Sequence, residues 1–369
     1  MRRLLYGAAL GAALALTAAV PTATAAPGAR VVRVDTGADG SQFSAYVYGG
    51  PISGDGRYAA FLATDPAPGC QASGFHCGYL KDLRTGELIR IPGTYYYTAN
   101  ILTSADARTV AYSSGNRFTK PYVYDRRTGT TQLLWPADPP DSYELGTAQA
   151  VSADGRYVAY TLGNRTPPAY ESVLYVRDLV TGADTQVLAP PIAGQLTDVQ
   201  LSADGRTVAY GLLVPGGFDR VGQVWVRNLD TGETLRADTD AYGGSSLAGL
   251  SADGRRVVLD CRSYPDDVVS VRLVDLRTGH VRKLGPDGAR AVAADGGARH
   301  VLLSDDDTQN LSLLDVHTGR SRPVASGALA VTGAVSRDGR EVEFLSGASD
   351  LVPDDTNGVN DVFVRFLRP

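Results

Sequence analysis

From about residue 30 to the end, the chain is written in short apolar runs of β-branched and aromatic residues, each stopped by a Gly- or Asp-containing turn. Between Ser152 and Leu162 it reads SADGRYVAYTL, and between Ser202 and Leu212 it reads SADGRTVAYGL. Related stretches start at Ser53, Ser104, Ser251, Ala293 and Ser336, so seven copies recur at intervals of 42 to 51 residues. A second pattern runs in phase with the first: YLKDLRTG, VYDRRTG, LYVRDLVTG, VWVRNLDTG, VRLVDLRTG and LSLLDVHTG, ending at Gly86, Gly129, Gly182, Gly232, Gly279 and Gly319. Asp-Gly between two apolar runs is a hairpin signal, because the tight turn needs a positive φ that glycine adopts without a Cβ penalty. The Asp-x-x-Thr-Gly ending is a second turn, with Asp or Asn bonding its own backbone.

Each period therefore supplies four strands: one before the Ser, one after the Asp-Gly, one before the Thr-Gly and one after it. A fixed period of this length with four antiparallel strands describes a propeller blade. No stretch beyond the amino-terminal leader carries helical spacing. The expected fold is an all-β, seven-bladed β-propeller. Its last copy ends at DVFVRFLRP with no fourth strand, whereas ARVVRVDTG, from Ala29 to Gly37, is a strand without a partner. Val31 to Val34 are expected to complete blade 7 and close the ring, removing an exposed edge. Ala107 stands where the turn glycine is expected, and Gly297 and Ala298 interrupt the sixth copy; both read as local turn changes.

The alternation of S-x-D-G-R-x-V-A-Y with V-x-V-x-D-L-x-T-G resembles the TolB-type, WD-repeat-like β-propeller repeat of secreted and periplasmic proteins, over residues 30 to 369. The resemblance implies the ring and leaves the function open, since such propellers serve as protein-binding modules, as peptidase domains and as lyases. The separate amino-terminal domain of TolB has no counterpart in the repeats, so a Tol-system role is not implied.

The first 25 residues, with Arg2 and Arg3, an apolar core and Ala23 and Ala25 at the small-residue positions, read as a signal peptide. A retained anchor is the competing reading of that run. Residues 26–369 are then a single domain, expected to be secreted or extracytoplasmic and without membrane insertion after cleavage. The composition, 43% apolar and 20% charged, is that of a folded protein. Loss of Arg2 and Arg3 takes the formal charge from -5 to about -7, and no basic cluster replaces them, so nucleic acid is not an expected partner. In an oxidising compartment Cys70 and Cys77 are close enough in sequence to bridge, with two free thiols as the alternative; Cys261 reads as a buried apolar group.

In each blade the Asp-Gly and Thr-Gly turns lie at one end, and the longer, variable connections lie at the other. Variable loops on a rigid scaffold are where binding resides. They contain Phe75, Tyr95, Tyr96, Tyr97, Tyr143, Tyr170, Phe218, Tyr242 and Tyr264, which form either a ligand-binding rim or covers for blade edges. The acidic loop DDTNGVND offers Asp354, Asp355, Asn357 and Asp361 as oxygen ligands of the kind Ca2+ takes, or a solvated turn. No cofactor is otherwise implied. The histidines His76, His280, His300 and His317 are scattered over different blades, and no nucleophile motif is present. The expectation is therefore a non-enzymatic binding or scaffold module for a protein, peptide or envelope glycan. The alternative is a propeller lyase acting on a polysaccharide or lactone, its site assembled from single residues on several blades.

Overall fold

The structure, a computed structural model, describes residues 30–64, 67–70, 76–94, 98, 100–116, 118–139, 143–163, 172–188, 194–216, 219–239, 243–263, 268–305 and 307–367. The strands form seven four-stranded antiparallel sheets. In blade 3, for example, Leu145–Val151, Tyr157–Gly163, Ser172–Asp178 and Asp184–Leu188 follow in order from inner to outer edge. Blade 7 takes Ala328–Leu329, Glu341–Ser346 and Asp361–Phe366 from the end of the chain and Arg30–Arg33 from its beginning. Arg30 to Arg33 pair with Phe366 to Phe363, and the Val34 amide donates to the Val362 carbonyl at 2.7 Å. The closing strand is the one the sequence pattern predicts, begun one residue earlier.

The two sequence motifs occur together because their side chains meet. The Ser hydroxyl of the first donates to the Asp two residues on, as in Ser152 to Asp154 at 2.5 Å, and accepts the amide five residues on. The Arg of that turn then reaches the Asp of the second motif: Arg57 meets Asp82 at 2.6 Å and Arg156 meets Asp178 at 2.7 Å. Asp82 also accepts the Arg84 and Thr85 amides, so one carboxylate orders the Thr-Gly turn and ties it to its neighbour. Blade 6 solves the same problem differently. Its turn begins at Asp295 rather than at Ala293, and the Asp295 carboxylate accepts the Gly297 and Arg299 amides and bonds His300 Nδ1 at 2.7 Å. Ala298 there and Ala107 in blade 2 take the left-handed conformation that glycine takes elsewhere, at φ 46° and 51°.

The turns also join blade to blade. Asp55 donates its amide to Ala105 O, Ala105 to Ala153 O, Asp154 to Ala203 O, Ala203 to Ala252 O and Ala252 to Gly296 O, while Arg337 donates to Gly54 O. Six of the seven joints around this channel mouth thus carry a main-chain hydrogen bond. Deeper in the ring, bulges in inner strands turn an amide towards the preceding blade, where a side chain accepts it. Ala148 N donates to Ser113 Oγ at 2.9 Å, Ala291 N to Asp260 Oδ1 at 2.9 Å and Gly50 N to Glu343 Oε1 at 3.0 Å. Between these staples the blades pack apolar faces, as where Leu62 and Leu80 of blade 1 meet Ile101, Val110 and Tyr112 of blade 2.

Glu343 is 1% exposed, its Oε2 has no partner, and burial holds its carboxyl well above the usual range. The native state therefore keeps a proton that the unfolded chain sheds above the ordinary glutamate pKa, and stability falls as pH rises from there towards the folded value. Glu343→Gln keeps the acceptor for Gly50 and removes this penalty. Calorimetry should find the variant melting about 1–3 °C above the parent at pH 8, with the gap closing towards pH 4.

Candidate active site

The inner strand of blade 1, Val47–Ile52, starts on the long-loop face. Val47 turns into the apolar layer shared with blade 7, so its neighbours Tyr46 and Tyr48 turn away from it and remain 72% and 46% exposed. His76 opens the third strand of the same blade, His76–Asp82, on the side of Gly78 and Leu80 that faces blade 2. Its ring meets that of Tyr48 at 4.8 Å between centroids, tilted by 55°. With the hydrogen on Nδ1, the imidazole donates to the Thr98 carbonyl oxygen at 3.4 Å and keeps a lone pair on Nε2. These rings wall a cleft of about 660 Å³, completed by Thr98, Asn100 and Ile101 from blade 2 and by Val331 and Thr332 from blade 7. That volume is in the range of small-molecule sites, which run from about 300 to 1,000 Å³.

Local chemistry holds His76 in place. Cys77, the next residue, is joined to Cys70 in a disulfide, which pins the foot of the preceding loop. Arg90 donates to Cys77 Sγ at 3.3 Å and to the Thr94 carbonyl at 3.0 Å, while Thr94 Oγ1 accepts the Gly78 amide at 2.9 Å. A side chain at Gly78 would collide with Ile101, its Cβ falling 2.8 Å from Cδ1, so glycine lets blade 2 approach beneath His76. Asn100 donates to the Ala148 carbonyl at 2.7 Å and leaves its Oδ1 buried without a partner.

Of the nine aromatic residues expected on a rim, Tyr143 is among the described residues and is 7% exposed, packed with Tyr160, Leu162 and Val173 in the core between blades 2 and 3. It covers an interior and offers no free ring face. Phe75, Tyr95, Tyr96, Tyr97, Tyr170, Phe218, Tyr242 and Tyr264 lie outside the described residues. Tyr46 and Tyr48 are not among the expected rim residues, although Tyr-x-Tyr at the entry to an inner strand puts both rings on one side. Cys261 is fully buried, with burial pushing its thiol up to about 11, as suits an apolar filler. His280 and His317 are exposed on Thr-Gly turns, and His300 is held by Asp295.

The acidic loop does not form the expected oxygen cage. Arg33, 7% exposed, occupies its centre, bonding Asp361 and, at 2.9 Å, Asp355, with Asp35 at 3.8 Å. Asn357 directs its amide nitrogen, and not its oxygen, at Asp361 and at the Phe43 carbonyl. Asp354 takes the left-handed φ of 61° and contributes its carbonyl oxygen to Gln42. Burial, then the hydrogen bond to Asp361, raise the Asp35 carboxyl despite Arg33. The loop is thus an internal clasp, with a guanidinium where a cation was expected.

No family model matches the sequence, and no curated protein does. Among solved structures, an oligogalacturonate lyase in complex with manganese is similar with a TM-score of 0.66 at 16% identity, over 92% of this chain and 94% of that one. The oligogalacturonate lyase of Vibrio parahaemolyticus gives 0.64 at 14% identity, over 93% and 94%. TolB from Acinetobacter baumannii gives 0.52 at 18% identity, over 74% of this chain and 64% of that one. At these identities the likeness is one of fold: a seven-bladed propeller distantly related to TolB-like and lyase propellers, and no specific TolB. It corrects the expectation of a non-enzymatic scaffold, because two propellers of this fold that are matched over nearly their whole length, the oligogalacturonate lyases, are enzymes. Among the described residues no three His, Cys, Asp or Glu side chains converge on a metal-sized site, so they do not fit the manganese of that lyase. No helix among them is long and apolar enough to cross a membrane.

The clasp predicts its own test. Arg33→Met keeps the packing over the Phe363 ring but leaves buried carboxylates unpaired, which costs about 3–5 kcal/mol. Urea unfolding should show the loss, larger at pH 8 than at pH 5, because the carboxyls then favour protonation and each is destabilised as pH rises above its unfolded pKa.

Proposed function

We propose that the protein is a propeller lyase of secreted type, acting on a polysaccharide or lactone in the cleft between blades 1, 2 and 7. The observation that carries this reading is the His76 imidazole set against the exposed Tyr48 ring at the inner end of a substrate-sized cleft. The near full-length likeness to two oligogalacturonate lyases supports it as an analogy of scaffold.

In this reading Tyr48 gives a flat, partly wet ring on which the C–H face of a sugar stacks. His76 Nε2 takes the proton from the carbon next to the substrate carbonyl. The electron pair of that C–H bond becomes a carbon–carbon double bond, the C–O bond one carbon further on breaks, and its electrons leave with the oxygen. The imidazolium returns the proton to that oxygen, so His76 ends as it began. Bonding of Nδ1 to Thr98 O fixes the tautomer this needs. The disulfide and the Arg90 contacts keep the ring from swinging away.

The test is the ultraviolet absorbance of unsaturated uronides released from a panel of uronic-acid polysaccharides and their esters. His76→Asn should lower kcat by about 10²–10⁴-fold with an unchanged melting temperature, the usual worth of a positioned acid–base group. Tyr48→Ala should act mainly on KM. Full activity in His76→Asn, or no unsaturated product from any member of the panel, would overturn the assignment.

A further inference from the structure

A stacking slot recurs from blade to blade. The eighth residue after the Ser of the first motif lies opposite a residue of the third strand, on the face turned to the preceding blade. The two are Phe61 and Tyr79 in blade 1, Tyr112 and Tyr122 in blade 2, Tyr160 and Tyr175 in blade 3, and Phe344 and Phe363 in blade 7. All four pairs are stacked, with ring centroids 5.3 to 5.7 Å apart. Blade 4 sets Tyr210 against Trp225 at the same register. The rings fill the space between blades, as Tyr160 and Tyr175 do against Ala111 and Val123 of blade 2.

Blade 6 breaks the rule. Counted from Asp295, its slot holds Leu303 and Ser312. Leu303 still faces blade 5, among Val258, Val271 and Leu284, but the third-strand ring is replaced by a hydroxyl. A hollow of about 920 Å³ opens there between the two blades, with Val269, Leu303 and Leu314 on its apolar wall and Asp305, Asn310 and Ser312 along its polar edge. Gly285, at φ 65°, lets the short link between the blades pass close by, since a Cβ there would stand 2.8 Å from Leu303 Cδ1. Asp305 Oδ1 accepts the Asp307 and Thr308 amides, whereas among the described residues the side chains of Asn310 and Ser312 make no hydrogen bond.

Space left by missing rings suits a ring. A cavity lined by Leu, Ile and Phe binds benzene, and small-molecule sites join apolar walls to a few polar groups that fix orientation. The filled slots show the same division within one side chain: Tyr79 and Tyr112 pack their rings and donate their hydroxyls to the Pro68 and Pro92 carbonyls, and Tyr160 donates to Asp184. We infer that the hollow between blades 5 and 6 binds a small phenol, neutral like the rings it replaces. Its ring lies against Leu303 and Leu314, and its hydroxyl donates to the polar edge at Asp305 or Asn310. The site is separate from the cleft that holds His76 and does not rest on the lyase reading.

The experiment titrates the methyl-labelled protein with p-cresol, a free phenol, and with N-acetyl-tyrosinamide, which stands for a tyrosyl side chain of a partner, and reads binding by NMR. The expected result is a Kd for p-cresol of about 0.1–1 mM, with ring-to-methyl contacts to Leu303 and Leu314. Ser312→Tyr restores a ring to the slot; it should weaken p-cresol at least about tenfold and raise the melting temperature by about 1–4 °C. If that variant melts below the parent, the methyl contacts decide alone. Contacts to other methyls only, or an unchanged Kd in a stably folded Ser312→Tyr, overturn the inference. Tighter binding of N-acetyl-tyrosinamide than of p-cresol gives the slot to a partner's side chain and overturns the assignment to a free phenol. Absence of binding to the parent also overturns it; Tyr264, outside the described residues, precedes Val268 on the rim, and binding gained in Tyr264→Ala would show that the chain's own ring fills the slot.

Discussion

Everything in this molecule depends on the antiparallel pairing of Arg30–Arg33 with Asp361–Phe366. Seven blades laid side by side have two free ends, each with an apolar face and an unpaired sheet edge, and only a strand drawn from the other terminus can satisfy both at once. The join spans more than three hundred residues of sequence, so its chain-entropy cost is among the largest in the fold. Side chains reinforce it. Arg33 sits in a pit of carboxyls from both termini, with Asp35 accepting the Val362 amide at 3.1 Å, so the two ends are fixed in register as well as in contact.

Closure gives the rest of the ring its rigidity, and rigidity decides where a site can form. The short-turn face is bound by main-chain hydrogen bonds from blade to blade, and its turns ring a hollow of about 650 Å³ lined by Asp55, Asp106, Asp154, Arg337 and Asp338. The long-loop face is different near blade 7. Its inner strand, Ala328–Leu329, pairs with Glu341–Ser346 through only two residues, and the chain then drifts inward, where Gly333 O accepts the Ile52 amide before the bridge of Val335 to Val342. The inner edge that other blades fill with a full strand is therefore partly vacant, and Tyr48 and His76 look into that space. Local irregularity in one blade thus creates the cleft that six regular blades support.

The sequence carried the architecture far better than the site. Repeated turns announce themselves because each must satisfy the same backbone geometry, which is why the copies and the closing strand could be read directly. In blade 6 the repeat pattern starts at Ala293 and the turn at Asp295, because Asp295 combines the roles of the usual Ser and Asp, and composition alone gives no hint of that exchange. Tyr143 sits in a long connection by sequence but fills an interior between blades, a distinction that needs the neighbouring sheet. The acidic loop looked like a cation site because its natural cation, Arg33, lies more than three hundred residues away. The cleft was illegible for the same reason: Tyr48, His76, Asn100 and Val331 come from four strands or loops on three blades, and no spacing along one strand links them.

Native-state hydrogen exchange read residue by residue across the closing strand addresses the founding constraint most directly. If the ring is held shut by this pairing, the amides of Val32 and Val34 exchange only with the strand Asp361–Phe366, at the free energy of global unfolding, since releasing one end opens the whole interface. Exchange of those amides many times faster, while blades 2 to 6 stay protected, would mean that the termini are fastened independently of the fold, and the closure on which the cleft is built would have to be abandoned.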